Sequence, residues 1–255
     1  VVKKLSCSLH YAFVRRGESS YQLEGAHIMI TVHHLDNSRS QRVLWLLEEL
    51  ELTYEVQFYK RDPKTMMAPK SLRTIHPLGK APIITDTDGD VTLAESGAII
   101  EYIINKYGNG RLAPARDTSE YIRFIYWLHY AEGSAMPPLL LKLIFGMLPK
   151  QAPLLIRPFA FLIAKGAQTR FINPQVKLHM DYWEQSLSES EWFAGNDFTA
   201  ADIQMSFPLE AAAARAGATH NRPYVGAFLR RIHNRPAYQR ALQRGGTYAY
   251  ANNGS

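Results

Sequence analysis

From Met29 the chain runs MITVHHL, a β-branched apolar stretch that reads as a buried strand over 29–35. Asp36, Asn37 and Ser38 follow as turn and cap residues, and QRVLWLLEELEL then sets Val43, Leu44, Leu47 and Leu50 at helical spacing. YEVQFY (54–59) alternates as a strand does, and Pro63 and Pro69 mark a loop leading to a short helix near 69–75. HPLGKAP is loop by composition. IIT and VTLA flank DTDGD, whose Asp88-Gly89 pair is a hairpin turn signal. Residues 95–107 repeat apolar side chains at Ile99, Ile100, Ile103, Ile104 and Tyr107, which predicts a helix ended by Gly108.

The order strand–helix–strand–helix–strand–strand–helix begins with a βαβ unit, which needs a crossover and a parallel pair. It ends with a hairpin and a helix, the thioredoxin-like arrangement. GNGRLAPARD (108–117) is a linker of Gly, Pro and charge. Beyond it the pattern is helical over 117–145, 155–190, 199–216, 223–233 and 236–243. The expected fold is therefore an α/β thioredoxin-like N-terminal domain over 29–110 and an all-α helical C-terminal domain over 115–247. In FTAADI, Thr199 is a helix N-cap with Asp202 three residues on, a capping box. Phe198 and Ile203 are set to staple across it. Asp202 is read as a folding residue. Residues 1–28 share neither period, lack the long apolar centre of a secretory signal, and read as an extension that is not part of the fold.

Of 255 residues, 46% are apolar and 20% charged, values of a globular chain rather than a disordered or fibrous one. A chain this long buries enough apolar surface to fold without staples. The single cysteine, Cys7, excludes an internal disulfide and any Cys-based metal site. The net charge of +6 is mild, and no Lys/Arg run with interleaved aromatics points to nucleic acid. No uncharged apolar run is long enough for a membrane span. The nearest candidate, 135–167, is broken by Lys142, Lys150, Arg157, Lys165 and five prolines. The expected location is cytoplasmic.

Three segments carry candidate chemistry. At the turn DNSRSQR, free N–H groups at a helix start favour negative charge, and Ser38 either caps the helix or donates to an anion. In HPLGKAP, Ala81–Pro82 opens a strand. A cis bond there would turn the backbone of Ala81 toward an extended ligand, and a trans bond would make it an ordinary turn. In LAESGAII, Glu95 and Ser96 start a helix. They are either a plain cap or a site for the ammonium and carboxylate of an amino-acid head group. His33 and His34 point to opposite strand faces and make no chelate, so no metal is expected.

Taken in order, NSRSQRVLWLLEEL, HPLGKAP, LAESGAII and FTAADI resemble the glutathione transferase family, over nearly all of residues 29–245 and in the style of bacterial and fungal cytosolic members with a serine-type turn. The resemblance implies glutathione as co-substrate, a small hydrophobic electrophile as second substrate, a role in detoxification and a homodimer. It implies that Ser38 is the catalytic hydroxyl facing the thiol, with Asn37 and Arg39 also within reach of the sulfur. Ala81, before Pro82, would pair with the cysteinyl part. Glu95 and Ser96 would hold the γ-glutamyl head, and Lys80 and His76 would lie near the glycyl end. His76 stands where the family more usually has Asn. The turn holds no tyrosine and no cysteine. EGSAMPPLLLKLIFGMLP and LLIRPFAFLI would lie near the second substrate or a dimer interface, or pack as core.

The implied chemistry is thiolate attack. A thiol of pKa about 8.5 is only about 3% ionised at pH 7; lowering it by about two units takes about 2.7 kcal/mol and ionises about three quarters. A hydroxyl donor and a helix N-terminus supply such stabilisation. A peroxidase, isomerase, dehalogenase or disulfide reductase would bind glutathione in the same way, and so would a non-catalytic binding module.

Overall fold

The computed structural model describes residues 30–63 and 65–251. The 1–28 extension, with Cys7, and Met29 lie outside the described residues. Four strands, β1 (Ile30–Leu35), β2 (Tyr54–Tyr59), β3 (Ile83–Asp86) and β4 (Val91–Ala94), form one sheet in the order β2-β1-β3-β4. β1 pairs parallel with β2 and antiparallel with β3, and β3 pairs antiparallel with β4. Helix α1 (Ser40–Glu49) crosses between β1 and β2, and α2 (Ser96–Tyr107) follows β4. This is the mixed sheet of a thioredoxin-like unit.

At two turns the left-handed residue lies one position past the glycine. In the β3–β4 loop the left-handed residue is Asp90, not Gly89; an Asp tolerates that region because its short side chain bonds locally. At the end of α2, Gly108 keeps a helical φ of −75° and the left-handed residue is Asn109. The short helix before β3 is a 3₁₀ turn, Lys70–Thr74.

Among the described residues every element beyond α2 is helical: α3 (Ser119–Tyr130), α4 (Met136–Gln151), α5 (Arg157–Ala167), α6 (Asn173–Glu189), α7 (Ala200–Ala216), α8 (Pro223–His233) and α9 (Pro236–Gly245). The run expected to be continuous over 117–145 widens into a π turn at Ala131–Ala135. Pro137 and Pro138 cannot donate to the carbonyls four residues back, and their rings would strike them. Pro174 follows a second π turn at Gln168–Ile172.

The core continues from one half into the other. Nearly all of α1 is buried, because α7 and α9 cover the side that the sheet does not. The indole of Trp45 meets Tyr238 edge-on at 5.1 Å and Phe198 at 5.6 Å. Charge closes the seam: Arg235 bonds both oxygens of Glu49, and Arg240 bonds Glu48. The capping box forms, with Thr199 N–H donating to Asp202 Oδ2 at 2.8 Å. Phe193 N–H donates to the other oxygen at 2.9 Å. Burial pushes this carboxyl up to about 6 while those donors pull it back.

Candidate functional site

The register of the sheet joins what the sequence separates. Ile83 pairs with His33 on one side and Ala94 on the other. Ala81–Pro82 directly precede this row in β3, Glu95–Ser96 directly follow it after β4, and His34–Leu35 complete β1, so all three segments lie toward the same end of the sheet. The end of β1, the start of β3 and the end of β4 therefore meet at one end of the sheet. Both α1 and α2 begin there, so two helix N-termini converge on the same place.

At the β1–α1 turn Asn37 is left-handed (φ 49°), and its Oδ1 accepts from Ala249 N–H at 2.7 Å. The chain after α9 thus lies over this turn. Ser38 is buried. Its hydroxyl oxygen lies 2.7 Å from Ser40 Oγ and accepts from Ser40 N–H at 3.2 Å. Arg39, the residue next before α1, makes no side-chain cap bond, and it is Ser38 Oγ, by accepting from Ser40 N–H, that caps the first turn. Arg39 Nε instead donates to both oxygens of Glu132, at 3.0 and 2.9 Å, with its guanidinium over the Phe207 ring.

Behind Ser38 runs a buried chain of hydrogen bonds. Ser40 Oγ lies 2.9 Å from His34 Nδ1, and the Gly245 backbone bonds the same ring. Burial brings His34 down to about 4, against the pull of Gly245 and Asp36, so the ring is neutral and carries one N–H. Either hydroxyl of the Ser38–Ser40 pair can donate to the other, and the Ser40 proton has two acceptors in reach, His34 Nδ1 and the Leu35 carbonyl at 3.3 Å. The other strand histidine faces away, bonded to Tyr59 Oη through Nδ1 at 3.0 Å.

His34 gives the protein an acid-sensitive component. An unfolded histidine has a pKa of about 6.5. Between that value and 4 the unfolded chain binds a proton that the folded one refuses. Stability therefore falls as pH drops through this window, by roughly 3 kcal/mol at its lower end. Urea midpoints at about pH 7 and about pH 4.5 should differ less in His34→Gln than in the parent. An equally steep fall in the variant would assign the component to another group.

At the start of α2, Glu95 adopts φ 73°, ψ 120° and makes no side-chain cap bond. Ser96 is buried and Arg42 Nη2 donates to its Oγ at 2.9 Å. That bond uses an oxygen lone pair and leaves the hydroxyl proton to donate elsewhere. Arg42 is itself fully buried, with Nη2 also on Glu132 Oε1 and Nη1 on the Gln204 carbonyl at 2.6 Å. Burial alone would raise the Glu132 carboxyl. Arg42 and Arg39, by charge and by hydrogen bonds, outweigh it and hold the group below the usual carboxylate range. The Gln204 carbonyl is available to Arg42 because Pro208, four residues on in α7, has no N–H to donate to it. The Gln204 side-chain amide is buried near Gly97 with no hydrogen-bond partner among the described residues.

The Ala81–Pro82 bond is cis. In the loop before it Gly79 is left-handed (φ 57°), and a Cβ there would come within 2.5 Å of Arg73 Cγ, so the position requires glycine. His76 makes only local bonds: its carbonyl accepts from Gly79 N–H at 2.8 Å and its Nδ1 from Leu78 N–H at 3.4 Å. Lys80 is exposed. Among the described residues no bond ties either side chain to the Glu95–Ser96 pair.

The model for the N-terminal domain of glutathione S-transferases matches residues 38–106, and that for the C-terminal domain matches residues 160–244. Glutathione S-transferase 3 of Schizosaccharomyces pombe is 35% identical over 85% of this chain and 88% of its own length. The chain belongs to the glutathione S-transferase family. Glutathione S-transferase 1 of Saccharomyces cerevisiae is 33% identical over 82% of this chain and 92% of its own. The crystal structure of a glutathione S-transferase from Actinobacillus pleuropneumoniae superposes with a TM-score of 0.72 at 34% identity. It covers 88% of this chain and 96% of that one.

The sequence reading of this transferase did not find Glu132, Ser40 or Gln204. Glu132 is one carboxylate in a helical pattern, and only the π turn aims it at Arg39 and Arg42. Pro208 inside an otherwise helical run was the available signal for Gln204, since a mid-helix proline always frees the carbonyl four residues before it.

Proposed function

We propose that this glutathione S-transferase binds glutathione at the shared end of the sheet and joins its sulfur to small hydrophobic electrophiles. The observation that carries this reading is the convergence, by register, of Ala81, Glu95–Ser96 and the Ser38 turn beneath two helix N-termini. Glu95 takes the γ-glutamyl ammonium. Ser96 Oγ–H and the free N–H groups of α2 take the adjacent carboxylate. The Ala81 backbone pairs with the cysteinyl peptide, while Lys80 and His76 lie toward the glycyl carboxylate. Ser38, flanked by Asn37 and Arg39, donates to the sulfur. In the reaction the thiol loses its proton to solvent, the thiolate forms a carbon–sulfur bond, and the electrophile's leaving group departs with the bonding pair. Residues 29–110 supply the thiol site and 115–247 the wall of the electrophile pocket. A homodimer fits the apolar side chains left exposed on both halves, Leu78 on the first and Ile122 and Tyr126 on the second.

The test is on the head-group site. Glu95→Gln and Ser96→Ala each remove a hydrogen bond to a charged group, about 1.5–3 kcal/mol, and should weaken glutathione binding by about 10- to 150-fold in calorimetry. Because Glu95 caps nothing with its side chain, the apo melting temperature of Glu95→Gln should hold. A variant that binds glutathione as the parent does would remove the head group from this place.

A further inference from the structure

We propose that the hairpin made by α4 and α5 docks on an anionic lipid bilayer. A helix on the surface of a water-soluble protein turns a polar face outward. These helices do the reverse. In α4 only Met136 and Leu139, both near its start, are buried; in α5 only Ala164 is, and in the 3₁₀ turn between them nothing is. Leu154 is 76% exposed, Leu155 91%, Phe159 68%, Leu162 64% and Ile163 63%. Single exposed apolar residues are ordinary, but a contiguous patch of this size marks a contact surface. A groove of about 580 Å³ opens at the same tip. Leu154, Phe161 and Leu162 line it, together with Lys150 and Arg157.

Charge selects the occupant. Between Glu132 and Asp181 the chain holds no acidic residue, yet it carries six cations. Lys142 bonds Asn173 and Lys177 pairs with Asp181, while Lys150, Arg157, Lys165 and Arg170 are exposed with no carboxylate partner among the described residues. Apolar side chains ringed by unpaired cations suit a surface that is apolar inside and negative at its face. A second copy of this chain on the same face would set these cations against one another, because a two-fold contact brings like patches together. The hairpin lies on the bilayer rather than spanning it. Among the described residues no single helix is long and apolar enough to cross a membrane, and the two helical arms turn by 119° at the break.

The experiment is flotation of the full chain with vesicles of phosphatidylcholine alone and of phosphatidylcholine with about 30% phosphatidylserine, with turnover and sedimentation measured in parallel. The chain should float with the anionic vesicles and at least tenfold less with the neutral ones. Added salt should weaken the binding, because the cations act within a Debye length. Leu155→Asp/Phe159→Asp should abolish flotation while keeping the parent's melting temperature and sedimenting mass. Lys150→Gln/Arg157→Gln should lose about fivefold for each charge removed. Failure to float with either vesicle would overturn the proposal. So would equal flotation with both, or a loss of sedimenting mass in the aspartate variant, which would assign the face to a second copy. None of these outcomes bears on glutathione binding at the sheet end, which the turnover measurement reads separately.

Discussion

Replacing Glu132 with leucine is expected to cost the fold about 3–5 kcal/mol. The reason lies in which partner is left behind. Arg42 is 1% exposed and belongs to α1, whereas Glu132 reaches it from the π turn after α3. Without the carboxylate, a guanidinium shut away from water keeps only neutral acceptors, Ser96 Oγ and the Gln204 carbonyl. An uncompensated buried charge is what makes the loss large, since removing both partners of such a pair is often nearly neutral. Glu132→Leu/Arg42→Met should accordingly recover most of the stability lost by Glu132→Leu alone, a coupling that urea midpoints of the two single variants and the double variant measure directly. The double variant should still bind glutathione less well, because Arg42 no longer holds Ser96 at the start of α2. A Glu132→Leu midpoint equivalent to less than about 1 kcal/mol of change would mean that water reaches Arg42 as the seam opens.

The contrast between what the chain's pattern predicted and what the seam contains has a physical cause. Strands, helices and caps are written locally. The alternation in YEVQFY, the spacing of Ile99 to Tyr107 and the Thr199–Asp202 box each depend on residues within two turns of one another, and all of them form. The meeting of Ala81, Glu95 and the Ser38 turn was legible only through a resemblance, because it depends on strand register. Burial of Arg42 and Glu48 was not legible at all. Helical spacing assigns such residues to the solvated face of α1, and only α7 and α9 turn that face into interior. The π turn was hidden for the same kind of reason: Pro137 and Pro138 announce a break in the ladder but not the direction in which it sends Glu132. The apolar hairpin reads from sequence as second-substrate wall, dimer interface or core, because composition says that surface is available and not whether anything covers it.

Ser38→Ala is expected to lower turnover by about tenfold to a thousandfold while changing glutathione affinity little, because the hydroxyl acts on the developing thiolate and transition state rather than on the bound peptide. The hydrogen bonds behind it make the expectation sharper. Inward, Ser38 Oγ lies 2.7 Å from Ser40 Oγ, whose own proton can go to His34 Nδ1 or to the Leu35 carbonyl, so Ser40 is free to accept from Ser38. To donate to a sulfur it must rotate out, leaving Ser40 Oγ with the Leu35 N–H at 3.3 Å as its donor. Ser38 is therefore a switchable donor whose inward alternative is already satisfied, and the cost of turning it outward is one neutral hydrogen bond against a gain of one to a charged sulfur. Losing that gain, about 1.5–3 kcal/mol, should raise the pKa of the bound thiol by about one to two units. A titration of thiolate absorbance on the glutathione complex checks this independently of turnover. Asn37 and Arg39 are poorer replacements. The Asn37 oxygen is taken by Ala249 N–H, and Arg39 Nε is taken by Glu132. If thiol pKa and turnover both hold in Ser38→Ala, the donor is the Asn37 amide nitrogen, a terminal nitrogen of Arg39 or a backbone N–H of the turn, and the serine is a structural link to Ser40.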